Sequence, residues 1–411
     1  MKVFQCQNCG QPLYFENTRC ERCGLSLGYL PRREAISALQ PHGSPDGPQG
    51  QVRRALADME LYRHCANAAY DACNWLIPAA TSDSYCAACR HNLVIPDLSL
   101  PENLPRWRSL EVAKHRLFYS LFQLRLPVET QVENPAGLAF RFLADVGPAQ
   151  SEVLTGHDNG VITISLAEAD DAERERRRQR MGELYRTLLG HFRHEIGHYY
   201  WGRLILSTPH LDEFRRVFGD ERQDYAAALQ NYYASGAPAD WSERFISAYA
   251  SSHPWEDFAE TWAHYFHMID TLETAHVAGL AVSPKLPESP GAVFDFNPRD
   301  TDVNRLIEAW LALAFAVNSL NRSMGLHDLY PFVLGPVAVA KLAFVHRLIA
   351  ATSSAAPKTT SRPPPLQAKR SPPDTIRSHV TFLQRELSRS GSALHSQAVG
   401  LPEKGQKRLE F

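Results

Sequence analysis

Apolar and polar positions alternate along Gly160-Val161-Ile162-Thr163-Ile164-Ser165-Leu166, the period of two that marks a half-buried strand. Leu138-Ala139-Phe140-Arg141-Phe142-Leu143 reads as a second strand of the same sheet. Asp170 and Asp171 then offer an N-cap for a following helix. The run from Met181 to Arg193 contains no proline, so the spacing predicts one continuous helix reaching Trp201. Ile196 and Gly197 are uncharged and Tyr199, Tyr200 and Trp201 are largely apolar, which predicts that this helix is buried. Pro254 suits the first turn of another helix, followed by acidic residues as favoured near a helix N-terminus. That helix places Phe258, Trp262 and Ile269 on the core.

Residues 311–317 and 332–340 are the strongest apolar runs. Both are too short to span a bilayer, and Lys341 ends the second, so they read as buried helices. Residues 32–55 gather Pro41, Gly43, Pro45, Gly47, Pro48 and Gly50 and read as a linker. Beyond Ala350 the chain turns to Ser, Pro, Lys and Arg, with Pro363-Pro364-Pro365 and Pro372-Pro373, the composition of a disordered tail. A short basic helix near residues 375–388 is compatible with that tail. The formal net charge of -2 makes no general case for nucleic acid or an acidic partner. Arg174, Arg176, Arg177, Arg178 and Arg180 form a basic run, but interleaved Glu173, Glu175 and Glu183 predict a solvated, ion-paired face.

Candidate chemistry centres on His194-Glu195-Ile196-Gly197-His198. Positions i and i+4 of a helix leave the same face, so both imidazoles can share one zinc. Glu195 lies beside them, placed to take a proton from a zinc-activated water. A catalytic zinc usually has three protein ligands and one open position. The metzincin pattern would need Gly and His where this chain has Trp201 and Leu204, so that class is excluded. The segment from His253 to His264 is the best source of a third ligand, with Glu256 and Glu260 on one helical face and Asp257 and His264 also within it. Peptide hydrolysis also needs a donor to the oxyanion. Tyr249, His253 and Tyr265 lie near enough in sequence to be candidates. The acidic stretch from Gly219 to Tyr225 is a candidate border of the site.

At this point the chain resembles the gluzincins, in which H-E-x-x-H is followed by a helix bearing E-x-x-x-(D/E). The resemblance implies that Glu256 binds zinc and that Glu260 hydrogen-bonds a zinc-ligating His, fixing its tautomer and orientation. Asp257, Glu260 and His264 stay open as alternative ligands. Some gluzincins carry a functional Tyr at an offset similar to that of Tyr249, seven residues before Glu256, so the resemblance implies Tyr249 as the oxyanion donor, with His253 and Tyr265 as competitors. The strand preceding the H-E-x-x-H helix is then expected to be an edge strand able to pair with extended peptide.

All eight cysteines fall within the first ninety residues. Cys6-x2-Cys9 and Cys20-x2-Cys23 are each followed by glycine, at Gly10 and Gly24, which permits the positive φ of a metal-binding knuckle. This spacing predicts a structural zinc site. Cys65, Cys73, Cys86 and Cys89 predict a second, with His64 or His91 as possible substitutes. The N-terminal run Met1-Lys2-Val3-Phe4-Gln5-Cys6 has no apolar core of a secretory signal, which leads to the expectation of a reducing, cytoplasmic location.

Taken with Leu27-Gly28-Tyr29-Leu30-Pro31, Cys73-Asn74-Trp75, Gly190 to Trp201 and Trp255 to His264, the chain resembles bacterial zinc-binding metallopeptidases with an N-terminal zinc ribbon, over roughly residues 1–350. That family is itself defined largely by motif and supplies no substrate. The resemblance implies an α+β, mostly helical zincin-like domain with a small sheet. The expected organisation is a zinc ribbon at 1–31, a linker at 32–59, a second four-cysteine module at 60–107, a metallopeptidase domain at 108–350 and a tail at 351–411. The expected cofactors are three zinc ions, one catalytic and two structural. A peptide or protein is the expected substrate, a protein or nucleic acid is a possible partner for the ribbons, and no membrane span is expected. The competing reading is a zinc-ribbon binding or scaffold protein with a vestigial catalytic site; the intact Glu195 argues against it.

Overall fold

Short strands held by turns open the chain. The computed structural model describes residues 2–43, 51–144, 153, 155–181, 183–285 and 291–355. Strands β1 (Phe4–Gln5) and β2 (Pro12–Leu13) pair antiparallel, with Cys6 and Cys9 in the turn between them. Cys20 and Cys23 precede β3 (Ser26–Leu30), which begins a five-stranded antiparallel sheet. Its other strands are β4 (Ala35–Pro41), β5 (Arg53–Ala55), β6 (Leu61–His64) and β7 (Leu76–Pro78), in that order. Residues 32–59 are therefore not the expected linker: β4 and β5 lie inside them and join the two cysteine segments into one sheet. The proline- and glycine-rich residues 44–50 between β4 and β5 lie outside the described residues.

The sheet curls back on itself. The Tyr29 amide donates to Asn74 O at 2.8 Å, and Tyr29 bridges to Trp75. Gly28 makes this possible, because a Cβ there would lie 2.5 Å from Leu76. Phe15, Tyr29 and Trp75 pack edge to face or tilted, and Tyr119 from the next helix completes the cluster. Such rings carry much of the apolar contact in a small sheet that has little other core.

A second sheet has the order β10-β11-β9-β8, from Gly156–Asp158, Val161–Ser165, Ala139–Leu143 and Asn92–Val94 respectively. Strand β9 runs parallel to both β8 and β11, and β10 is antiparallel to β11. Two expectations change here. Strand β8, expected within the second cysteine module, belongs to this sheet. Strand β11, expected at the edge, is enclosed by β9 and β10. Among the described residues, the edge beside the helices is β10.

Helix α1 (Asn103–Gln123) connects β8 to β9. Helices α2 (Asp171–Met181) and α3 (Leu188–Leu204) follow the sheet. They are separate, against the expectation of continuous helix from Met181. Thr187 is extended and its hydroxyl caps α3 by accepting from Gly190 N at 3.0 Å, while Arg178 Nη1 donates to Glu183 O at 2.8 Å across the break. A capping hydroxyl satisfies a free amide and so starts a new helix where composition alone would continue the old one. As expected, Asp170 caps α2, accepting from Ala172 and Glu173.

Helices α4 (Leu211–Phe218), α5 (Tyr225–Ser235) and one-turn α6 (Trp241–Arg244) lead to the long α7 (Pro254–Val277). Helices α8 (Val303–Ser323) and α9 (Pro336–Ala355) pack behind it. Helix α8 buries one face only, with Leu306, Trp310 and Leu313 inward and Leu311 and Phe315 exposed. Helix α9 continues past Lys341, and 336–353 is long and apolar enough to cross a membrane by length and composition. In this fold it packs against α4, α6, α7 and α8, and buried Lys341 pairs with Asp257 at 2.6 Å. The tail from residue 356, including the basic segment 375–388, lies outside the described residues.

Helices α3 and α7 cross closely. A Cβ on Gly197 would lie 3.0 Å from Ala259 Cα and 3.2 Å from Trp262 Cβ. Buried ion pairs fix the orientation of α3. Arg193 binds Asp270 of α7, and Asp270 also accepts from Ser120 of α1 at 2.5 Å. In the turn before α2, Glu168 meets Arg177 at 3.0 Å, Arg186 at 2.8 Å and His191 at 3.1 Å. Within the same run Arg174 pairs with Asp171, Arg176 with Glu173 and Arg178 with Glu175, as expected of an ion-paired face.

Burial alone would raise the Glu168 carboxyl; His191 and Arg186 overcome it and hold the group well below the ordinary carboxylate range. Removing one member of a buried charge network leaves the others uncompensated, at a cost of about 3–5 kcal/mol. Glu168→Gln is expected to lower stability by that order in urea unfolding at neutral pH. A depressed carboxylate stabilises above its unfolded pKa and loses that contribution as pH falls through its folded one. The deficit of the variant is therefore expected to persist at mildly acidic pH and to fade only in strong acid.

Candidate functional site

Two helices supply the site. His194 and His198 project from one face of α3, and Glu256 lies in the first turn of α7. His253 caps α7 by accepting from Trp255 N at 3.1 Å, and Pro254 occupies the first turn, so the acid is presented where a helix N-terminus favours negative charge. Trp255 lays its ring on His198, with centroids 3.9 Å apart.

The donor atoms converge. His194 Nε2 and His198 Nε2 are 3.1 Å apart. Glu256 approaches them at 3.0 Å and 3.3 Å. His194 Nδ1 meets Glu260 Oε1 at 2.8 Å, and Ser247 Oγ donates to Glu260 Oε2 at 2.5 Å. A carboxylate on Nδ1 holds a proton there, which makes Nε2 the nitrogen able to ligate a metal. Two nitrogens around one tetrahedral zinc stand about 3.3 Å apart, given Zn–N near 2.05 Å. The three donors therefore fit one small cation.

Glu195 is 8 % exposed, and burial pushes its carboxyl up from the ordinary value. Tyr225 Oη donates to Glu256 Oε1 at 2.7 Å, so its hydroxyl stands at the site. The acidic stretch does border the site, but through this tyrosine: Asp220 pairs with Arg222, Glu221 with Arg215, and Asp224 caps α5. Tyr249 packs its ring 6.0 Å from that of His194. Tyr265 turns away, bonding His346 Nδ1 at 2.9 Å, and His253 directs Nε2 to Gln223 O.

The alternative third ligands separate by contact. Asp257 pairs with Lys341 on the far side of α7, and burial, partly countered by that lysine, raises its carboxyl to about 7. His264 Nδ1 bonds Tyr330 Oη at 2.7 Å. Glu260 faces the outer nitrogen of His194. Only Glu256 reaches both inner nitrogens. Ser247 had no signal in the sequence, and Tyr225 closed the stretch read as a border of the site without anything there singling out its hydroxyl.

The cysteines also gather. Cys9 and Cys20 sulfurs are 3.5 Å apart and Cys6 and Cys23 sulfurs 3.7 Å, near the roughly 3.8 Å edge of a tetrahedral zinc–thiolate site. Gly10 and Gly24 both adopt φ of +74°, as the knuckle expectation required. Cys65, Cys73, Cys86 and Cys89 form a second, fully buried cluster. Neither proposed substitute joins it: His64 Nε2 faces Ser26 Oγ, and His91 Nδ1 binds Leu138 O at 2.8 Å. His115, on α1, stands there instead, 3.2 Å from Cys73 Sγ.

Comparison with known proteins gives the family. A zinc-ribbon domain family matches residues 3–100, spanning both cysteine clusters. The family described as "Putative zinc-binding metallo-peptidase" matches residues 103–348. The uncharacterized protein Rv2568c of Mycobacterium tuberculosis is 42% identical over 351 residues, covering 85% of this chain and 95% of its own. The uncharacterized protein Mb2598c of Mycobacterium bovis matches to the same extent. No solved structure matches significantly. Zinc is thus supported both by family and by the clustered cysteines, and the chain belongs to the zinc-binding metallo-peptidase family, with a zinc-ribbon domain at its N-terminus.

Proposed function

We propose that this protein is a gluzincin-like, zincin-type peptidase that hydrolyses peptide bonds at His194, His198 and Glu256. The observation that carries the reading is the convergence of two imidazole nitrogens and one buried carboxylate within 3.0–3.3 Å of one another. Zinc, when bound by these three residues, supplies the Lewis acid that such hydrolysis requires. Glu195 accepts the proton of the attacking water and returns it to the leaving amine. Its burial excludes competing solvent from that exchange. Glu260, steadied by Ser247, holds His194 in the ligating tautomer.

Tyr225 is the better oxyanion donor than Tyr249, because its hydroxyl already stands at the Glu256 carboxylate while Tyr249 offers ring contact. Rotation of the phenol away from Glu256 would present the O–H to a developing negative charge. An extended peptide can add to β10, an edge strand among the described residues, whose His157 ring lies 6.4 Å from that of Trp255. Trp255 thus connects the peptide-binding edge with His198.

Glu195→Gln keeps the ligands and removes the base. Bound metal is expected to stay at the wild-type level while cleavage of a mixed peptide library, followed by mass spectrometry, disappears. Cleavage that survives in the purified variant would sink this mechanism, and wild-type cleavage untouched by a chelator would sink the role of zinc. Tyr225→Phe is expected to lower kcat by about 10²–10³ with metal content unchanged, the usual effect of losing one oxyanion donor. Tyr249→Phe should cost much less; the reverse ranking would return the role to Tyr249.

A further inference from the structure

Beside its four sulfurs the second cysteine cluster meets two further potential donors from the peptidase region, Glu111 and His115, and Glu111 is engaged with Lys114. His115, 4 % exposed on α1, places Nε2 at 3.2 Å from Cys73 Sγ, 3.5 Å from Cys89 Sγ and 3.9 Å from Cys86 Sγ. Cys73 and Cys86 sulfurs are themselves 3.7 Å apart. Around tetrahedral zinc, with Zn–S near 2.3 Å and Zn–N near 2.05 Å, a sulfur and a nitrogen stand about 3.6 Å apart and two sulfurs about 3.8 Å. The three sulfur–nitrogen separations bracket the first value, and the sulfur–sulfur separation falls just short of the second. The other ring nitrogen is committed, since Nδ1 lies 2.6 Å from Glu111 O, an acceptor only. Nδ1 therefore carries a proton, and Nε2 is the nitrogen that faces the three sulfurs.

Hydrogen bonding does not account for this packing. One nitrogen can share a single proton, and here it faces three sulfurs at comparable range. A cation among them satisfies all four atoms together. Charge points the same way. Four thiolates around Zn2+ leave a net charge of -2 in a site where every sulfur is buried, and such a charge is costly without compensation. Nearby, buried Lys114 is already paired with Glu111 at 2.9 Å and so adds no net positive charge. Exchanging one thiolate for an imidazole halves the excess.

We infer that His115 is a ligand of the metal held with Cys73, Cys86 and Cys89, so that one ion fastens the zinc-ribbon sheet to the first helix of the peptidase region. Cys65 completes the cluster, its sulfur accepting from Cys86 N at 3.3 Å, and supplies an alternative fourth donor. The site is thereby a joint between the segments matched by two different families rather than an internal staple of the ribbon. This assignment rests on zinc binding by the cysteines and is independent of peptidase activity.

Cadmium NMR of the full-length, cadmium-exchanged protein tests it, with histidine nitrogen labelled. Two resonances are expected in the thiolate region, one per cysteine cluster, and one of them should be split by coupling to a histidine nitrogen. His115→Gln should abolish that splitting and shift or remove the same resonance while leaving the other in place. The splitting in the wild-type protein needs no variant, so a poorly folding substitution does not decide the matter. Two unsplit thiolate resonances, unmoved by His115→Gln, would overturn the role of His115 alone. Absence of any thiolate-region resonance would overturn the zinc reading of the cysteines as well, and neither result bears on cleavage at His194 and His198.

Discussion

The close crossing of α3 and α7 is the constraint on which the site depends. Ligands three to four bonds from the backbone can meet at one point only if the two helix axes approach within side-chain reach. Gly197 and Ala259 provide that approach, with no room between them for a further methyl group. The second variable position of the H-E-x-x-H motif is therefore a packing position. It lets the histidine helix settle onto the helix that carries Glu256 and Glu260. The conformational cost of a glycine in a helix interior, about 1 kcal/mol, is offset by the contact it permits.

Charge then fixes the rotation of α3 about its own axis. Arg193 reaches Asp270 on α7, and Asp270 is tied to Ser120 on α1. On the N-terminal side, Arg186 and His191 converge on Glu168. A helix with aromatic residues along much of its surface could slide among several packings of similar apolar burial. Discrete buried pairs on two sides select one, and with it the direction in which His194 and His198 point. Buried polar pairs of this kind contribute orientation more than stability, because desolvation consumes much of their attraction.

What was legible in the sequence followed from fixed local geometry. The i, i+4 histidines and the Glu256–Glu260 pair each lie within one helix, where spacing alone dictates a shared face. The C-x-x-C-G knuckles carry their turn requirement in the glycine. The break at Thr187 was not legible, because its neighbours are all tolerable in a helix and only the capping hydroxyl ends the run. Strands β4 and β5 were hidden for another reason. Arg53-Arg54-Ala55 has no apolar alternation, and its pairing is set by neighbours within a sheet whose ends are pinned at the cysteines. Tyr225 and His115 act at a distance in sequence, each on a helix with no motif of its own, so only the tertiary fold assigns them to a site.

Strand β8 gives the two sequence families a shared boundary that neither can give up. Parallel neighbours such as β8 and β9 need a crossover between them, and α1 supplies it. The first strand of this unit falls in the span matched by the zinc-ribbon family, and the helix and second strand in the span matched by the peptidase family. During synthesis from the N-terminus the ribbon emerges first, so it presents an open strand on which the later sheet can assemble. A peptidase region cut free at that boundary would expose the β9 backbone as a bare edge, the kind of surface on which chains stick to one another. Exchange of the ribbon for another module would therefore have to preserve an incoming strand, which places a topological limit on how such chains can be recombined.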